Sequence, residues 1–387
     1  MAEVINGYRL LAPLSNENAG SAKWGHAKKG GRDYFIKEFL DPCYPTKDSP
    51  FDEQLKTLTL RKCRAYEAEK RQLYRTINNA SDGNLVRIEE FFRWDGKYYI
   101  TTQWLDVAPK REGFAAGARG ASNQMSIEDL YRMRQNRVKL RCVLALSHAL
   151  ARLHERGIAH SDIKPRNIML TQLRTGNLSP KIVDLDSCFW VKSPPEELAG
   201  DQVYLAPESV MYMIKGEGAS TISCKIDVFA MGLVFHQIFG GELPSLPEDY
   251  NFACEACLDG VKPVVSERVP KPIRGIVEDM LEADASARPS MADVHQRLWE
   301  RVYGSKPTRC SPPDDGTATG SHGETSHSSR GETSHGSHEE TSHGSRGETA
   351  HGSHEEKTGE NRVIISTGLN AGDGEKEVGP FYRPGGL

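Results

Sequence analysis

The sequence predicts an α+β fold in two lobes, a small and mainly β N-terminal lobe with one key helix and a larger, mainly α lobe, followed by a tail that lacks a core. Three features predict it. In the first part of the chain apolar and polar residues alternate at the period of a strand, as in Gly31-Arg32-Asp33-Tyr34-Phe35-Ile36-Lys37-Glu38-Phe39. From Met125 to Gly157 the pattern turns helical, with Leu140, Val143, Leu144, Ser147, Leu150 and Leu153 recurring on one face. Beyond Gly304 the composition collapses. Between Ser311 and Glu360 the only hydrophobic residues are Ala318 and Ala350, too little apolar surface to offset the entropy of ordering a chain.

With 387 residues, 37% of them hydrophobic, the chain can bury a two-lobed core and still carry an appendage. A net charge of −4 argues against nucleic acid or an anionic membrane as the main partner. That average conceals an asymmetry: from Ser311 onward 13 acidic and 6 basic residues give −7, which leaves +3 on the rest. No apolar run is long enough to span a bilayer, and the start Met1-Ala2-Glu3-Val4-Ile5-Asn6 lacks the grading of a secretory signal. Eight scattered cysteines fit a reducing cytoplasm. Cys254-x-x-Cys257 has no second pair or histidine cluster nearby to complete a zinc site.

Taken in order, Tyr8-Arg9-Leu10-Leu11 leads into a turn-rich stretch, Ser15 to Ser21, ahead of the strand at 31–39. Pro42, Pro45 and Pro50 make 41–51 a loop, and good helix formers over 52–78 predict the small lobe's one helix. Val86-Arg87-Ile88 and Tyr98-Tyr99-Ile100-Thr101-Thr102 form its last strands, the second running into Gln103-Trp104-Leu105. Residues 106–123, rich in Gly, Ala and Arg, form an irregular insertion too short to be a domain. Gly157 stops the helical stretch that follows.

The chemistry concentrates in His160-Ser161-Asp162-Ile163-Lys164-Pro165-Arg166-Asn167 and, after two apolar strands, in Asp184-Leu185-Asp186. A carboxylate at Asp162 can orient a substrate hydroxyl and accept its proton. Oxygens at Asn167 and Asp184 suit a hard cation such as Mg²⁺ that shields phosphate charge. Together the residue types and their spacing are a signature of phosphoryl transfer. The stretch resembles the catalytic and metal-binding loops of the protein kinases, H-R-D-L-K-x-x-N and D-F-G, which read here H-S-D-I-K-P-R-N and D-L-D.

The resemblance covers residues 7–303 and implies a two-lobed protein-kinase-like fold, with an N-lobe over about 7–104 and a C-lobe over about 105–303. It makes Lys37 the lysine that holds the α and β phosphates and Glu69 its helix partner, with Glu67 as the alternative. Ser15, Glu17, Gly20 and Ala22 take the positions of the family's glycine-rich loop, so two of three glycines are absent and Glu17 adds like charge near the phosphates. Phe35 and Ala22 would together roof the adenine, a large residue matched by a small one. Thr102 guards the back of that pocket, Gln103 and Leu105 form the hinge, and Met169 completes the cofactor-binding set.

Among the remaining landmarks, Lys164 resembles the lysine of the serine/threonine-specific enzymes, able to neutralise the phosphate being transferred. Ser161 replaces an arginine that many kinases neutralise with a phosphate on the activation loop. His160 is expected to pack in the core beside Leu185 and Leu73. Asp186 either stiffens its loop or gives the metal another oxygen. Gly200-Asp201-Gln202-Val203-Tyr204-Leu205-Ala206-Pro207-Glu208 resembles the family's substrate segment, with Asp201 placed to pair with Lys164. Asp227 should receive hydrogen bonds from the catalytic loop, and Glu208 should tie to Arg288.

The expected function is that of an ATP-dependent serine/threonine protein kinase with Asp162 and Lys164 as catalytic residues, Asn167 and Asp184 as metal ligands, ATP and Mg²⁺ (with Mn²⁺ as substitute) as cofactors, and protein Ser/Thr hydroxyls as substrate. The alternatives are a small-molecule phosphotransferase of the antibiotic-kinase type and a pseudokinase scaffold. The tail, 304–387, is expected to be disordered. It repeats every eight residues (Gly323-Glu324-Thr325, Gly331-Glu332-Thr333, Glu339-Glu340-Thr341, Gly347-Glu348-Thr349), holds seven of the 13 histidines, and offers many hydroxyls for autophosphorylation. Residues 362–387 regain apolar character as a docking segment; oligomeric state has no signal in the chain.

Overall fold

The computed structural model describes residues 3–16, 22–46, 49, 52–109, 124–215 and 221–304. Glu17, Gly20, most of the 106–123 insertion, the repeats and the 362–387 segment lie outside the described residues. The small lobe is a six-stranded antiparallel sheet in the order β1-β2-β3-β4-β6-β5. Its strands are β1 Val4–Ile5, β2 Tyr8–Leu10, β3 Ala22–Lys29, β4 Arg32–Phe39, β5 Ile88–Trp94 and β6 Lys97–Gln103. Three two-residue turns set the pairing: Asn6-Gly7, Gly30-Gly31 and Asp95-Gly96 all have positive φ at both positions, the backbone that matches the twist of the flanking strands and that Asn, Asp and Gly adopt most readily.

The sheet has two apolar faces. Ile5, Tyr8, Leu10, Ala27, Ile36, Phe92 and Tyr99 close a small outer core. On the opposite face Phe39, Phe91, Tyr98 and Ile100 join the main core, to which the long helix α1 (Glu53–Ala80) contributes Cys63, Leu73, Tyr74 and Ile77. Asp52 starts that helix by accepting a hydrogen bond from Leu55 N (2.7 Å). Two sequence expectations shift here. β3 occupies the 22–29 stretch that carried no strand expectation, and β5 begins at Ile88, not Val86. Val86 N is instead spent on Ile182 O of the larger lobe, and Asn78 clamps Ile88 through both backbone groups (2.7 and 3.0 Å).

In the larger lobe the expected 125–157 helix divides into α2 (Ile127–Arg132) and α3 (Asn136–His154), because Met133 is extended. Gly157 then turns the chain at φ +68°. Short strands β7 (Ile158–Ala159), β8 (Ile168–Gln172), β9 (Leu178–Ile182) and β10 (Phe189–Trp190) carry the loops between them, in the pairs β7–β10 and β8–β9. The rest is helical: α4 (Pro207–Lys215), α5 (Lys225–Gly240), α6 (Ala253–Leu258), α7 (Lys271–Met280) and α8 (Met291–Tyr303). Fourteen of the 16 residues of α5 are buried, so it is apolar on every side and forms the lobe's axis. No helix among the described residues is long and apolar enough to cross a membrane. Nor do the described residues hold a group of three or more His, Cys, Asp or Glu suited to a metal ion, Cys254 and Cys257 on α6 included.

The fully buried Arg288 guanidinium grips Glu208 at the start of α4 in a bidentate pair (2.6 and 2.9 Å) and donates to Glu282 O, Lys225 O and Ala283 O. Arg288→Ala strands the largely buried Glu208 carboxylate and is expected to lower the unfolding free energy by about 3–5 kcal/mol in a urea titration. A loss under about 1 kcal/mol, the level of an exposed ion pair, contradicts this.

Candidate active site

The loop after β7 is hung from α5. Asp227, buried in the first turn of that helix, accepts from His160 N (2.7 Å) and Ser161 N (2.8 Å), and His154 Nε2 donates to it at 2.9 Å. Burial works to raise the Asp227 pKa; the His154 ring and the backbone donors outweigh it, and the carboxyl stays below its ordinary value. These bonds hold Ser161 at φ +72°, a strained conformation for a residue with a Cβ. The His160 ring is fully buried and acts as a prop, accepting from Asp162 N at Nδ1 (3.3 Å) and donating from Nε2 to Val183 O (3.2 Å). Leu73 and Leu185 are buried in the same core.

So held, Asp162 directs one carboxylate oxygen to Lys164 Nζ (2.9 Å) and to Asn167 Nδ2 (2.8 Å), which also donates to Asp162 O (2.8 Å). The other oxygen, Oδ1, is buried without a hydrogen-bond partner. A buried acceptor in that condition is costly, and it is the atom to which an incoming hydroxyl can donate. Asn167, its side-chain nitrogen committed to Asp162, has its side-chain Oδ1 left as the atom that could meet a cation. Val183 N bonds Asn167 O (2.9 Å), so Asn167 and Asp184 sit side by side at one end of the β8–β9 pair.

Asp184 has φ +61° and ψ +61° and faces β4, where the buried Lys37 Nζ reaches Asp184 Oδ1 (2.7 Å) and Asp186 Oδ2 (2.9 Å). Burial alone drives the Lys37 ammonium pKa down, but Asp186 and Asp184 reverse the effect and the net shift is upward. Within the carboxylate pair, burial and the charge of Asp186 raise Asp184. Burial works to raise Asp186 as well, but the Lys37 charge and the hydrogen bonds from Asp184, Lys37 and the backbone together outweigh it and hold Asp186 low.

The Lys37–Glu69 pair expected from the sequence is not formed. Glu69 is exposed, and Glu67, its alternative, bonds Arg71 (2.8 Å). Helix phase explains it. Cys63, Tyr66, Leu73, Tyr74 and Ile77 fix the inward stripe, and Glu69 lies 100° from its centre, where Lys70 stands. Lys70 Nζ donates to Asp186 O (2.9 Å), with the Tyr66 and Tyr74 rings on either side at 6.0 and 5.7 Å. Lys70 and the Lys37 contact of Asp186 were both missed in the sequence. A lysine spaced i±4 from two aromatics on an inward stripe was the available sign. Asp201 is likewise corrected: it accepts from Val203 N (3.1 Å) in its own turn, while Lys164 turns to Asp162.

The expected adenine roof also changes. The β3–β4 register pairs Trp24 with Lys37 and Ala22 with Phe39, so Ala22 lies about 13 Å along the strand from Phe35. Trp24 instead stacks on Phe35 (5.6 Å, 19°), so the residue packed against the large one is itself large. The Gly30-Gly31 turn fixes this register, which counting back from Lys37 along the chain could not supply. Thr102 pairs with Phe35 across β4–β6 and is half-buried. Gln103 is exposed, with its N–H on Arg87 O (3.2 Å). Trp104 stacks on His26 (3.8 Å), Leu105 is buried, and Met169 packs partly buried against the main core.

A model of the protein kinase domain matches residues 55–300, well over half of the chain. The chain belongs to the protein kinase family. Among curated proteins this kinase is 23% identical over 235 residues to the serine/threonine-protein kinase PSK2 of Saccharomyces cerevisiae, covering 60% of this chain and 19% of that one. It is 31% identical over 170 residues to the ovarian-specific serine/threonine-protein kinase Lok of Drosophila melanogaster (40% and 33%). It is 28% identical over 163 residues to the serine/threonine-protein kinase ULK3 of Homo sapiens (40% and 32%). The matches thus span a third or less of those relatives' length.

Asp227→Asn replaces one acceptor of the catalytic-loop amides with a donor. Hydrogen exchange is expected to quicken at His160 and Ser161, with a loss of about 1.5–3 kcal/mol in stability. Unchanged protection of those two amides would show that the loop is held from elsewhere.

Proposed function

We propose that this kinase domain transfers the γ-phosphate of ATP to serine and threonine hydroxyls of proteins. The observation that carries the reading is the unpartnered, buried Oδ1 of Asp162, on the loop whose Lys164 and Asn167 grip the other oxygen. In this reading Asp162 orients the hydroxyl and accepts its proton, Lys164 offsets charge on the phosphoryl group in flight, and Lys37 holds the phosphates behind it. Asn167 and Asp184 present only oxygen donors and too few to enclose an ion, a set that fits a hard cation which also binds phosphate and water. They would hold Mg²⁺, with Mn²⁺ as substitute, and the ion would supply charge shielding of the phosphates. Trp24 and Phe35 would face the base.

The Glu208–Arg288 tie beneath the segment at 200–208 supports a protein substrate over a small molecule. Ser161 Oγ donates to Ala199 O (3.0 Å), a neutral contact where many kinases carry an arginine, which supports activity without activation-loop phosphorylation. The free thiols of all seven described cysteines support a reducing, cytoplasmic setting. The hydroxyl-rich repeats are proposed as autophosphorylation sites and 362–387 as a docking segment.

The test is incubation with Mg²⁺ and γ-labelled ATP. Wild type is expected to label protein, while Asp162→Asn slows transfer by about 10²–10⁴-fold and Asp184→Asn abolishes it. Label on neither wild type nor variant, with ATP binding intact, would mark a scaffold. In the same assay, deleting residues from 305 onward is expected to remove most self-label; undiminished incorporation would clear the tail of that role.

A further inference from the structure

We infer that Asp186, anchored to α1 through Lys70, is the standing anionic partner of Lys37, so that the phosphate-holding lysine is positioned from the metal-binding loop and not by a carboxylate on the helix. This rests on the proposed kinase reading and adds to it a positioning pair, Asp186 and Lys70.

Lys37 is buried and bonded to both Asp184 and Asp186. If Asp184 turns to a cation, one of those bonds is given up, and a buried ammonium left without a carboxylate is strongly disfavoured. Among the described residues the helix offers no substitute, because Glu69 is exposed and Glu67 is engaged with Arg71. Asp186 is the carboxylate that remains. Its place is well defined: Leu185, the residue before it, is buried in the main core, and the short turn Leu185–Ser187 closes with Cys188 N on Leu185 O (3.3 Å).

Lys70 completes the device without competing for the carboxylate. Its ammonium takes the main-chain oxygen of Asp186 and leaves Oδ2 to Lys37. The flanking Tyr66 and Tyr74 rings and the burial of its stem keep the side chain pointed inward. The helix therefore acts on the site through a cation that steadies the loop, and the loop supplies the anion. The result is a reciprocal placement of charge relative to a helix carboxylate paired with Lys37.

The experiment uses the full chain and the Mg²⁺ complex of a non-hydrolysable ATP analogue, with affinity read at equilibrium and KM and kcat read separately with ATP. Asp186→Asn is expected to weaken analogue binding by at least about tenfold and to raise KM for ATP more than it lowers kcat; Lys70→Met weakens it by about three- to tenfold. Lys70→Arg restores binding to within about threefold of wild type, and Glu69→Gln binds as wild type does. Melting curves on each variant separate the role from a structural one, which would lower the melting temperature and leave affinity alone. Equal affinity of wild type and Asp186→Asn overturns the inference, as does a loss in Glu69→Gln matching that of Asp186→Asn. So does an Asp186→Asn defect cured by excess Mg²⁺ while Lys70→Met stays normal, which would make Asp186 a metal ligand. A wild type that binds the analogue but labels no protein defeats the kinase reading, and the comparison of affinities still decides the role of Asp186.

Discussion

Burying the ammonium of Lys37 sets a requirement that distant stretches of the chain have to meet together. The group sits on β4 of the small lobe with almost no water around it, and its countercharges come from the turn after β9, 147 and 149 residues further on. Neither side is stable by itself in that place: the lysine without carboxylates would shed its proton or its burial, and Asp184 and Asp186 without the lysine would repel each other. The attraction thus joins the sheet of one lobe to a loop of the other. Backbone bonds from Val86 N to Ile182 O and from Ile182 N to Asn84 O brace the same junction (both 2.8 Å).

The larger lobe solves the same problem twice more. Asp227 is satisfied by two amides and a histidine, and Arg288 by a carboxylate and three carbonyls. In each case a buried charge is tolerated because its hydrogen-bonding capacity is nearly exhausted, and the exhaustion fixes the backbone that supplies the partners. Asp162 is the exception, and the proposed chemistry rests on it. One of its oxygens is fully used and the other is left over in a buried place, so the geometry is rigid while a binding capacity remains. Rigidity around an unmet acceptor is what a site needs in order to place a hydroxyl before any reaction begins.

Much of this was legible in the sequence because the signals were local. The run from His160 to Asn167 and the triplet at 184–186 are short, and their residue types and spacing together named the chemistry. The change in periodicity between residues 104 and 125 pointed to strands followed by helices, and the resemblance to the protein kinases supplied the two lobes and the Glu208–Arg288 tie. What was not legible depended on rotation or register. Choosing Glu69 by its distance from Leu73 put it on a helix face whose edge Leu73 occupies, and one residue further on the centre of that face holds Lys70. Counting backwards from Lys37 put Ala22 beside Phe35, whereas the tight Gly30-Gly31 turn sets the partner strand so that Trp24 takes the place. The break between α2 and α3 was hidden because no glycine or proline stands between Met125 and Gly157 to mark it.

If Trp24 and Phe35 face the base, as proposed, their stacking bears on chemical selectivity. Flat heteroaromatic inhibitors shaped for a ceiling with a small side chain at the position of Phe35 would meet a bulky ring there and lose height they rely on. Thinner or edge-tilted scaffolds that lay their own π-face against the indole would keep theirs. Bulk at one strand position therefore sorts such compounds by thickness, independently of whatever hydrogen bonds they make at the hinge.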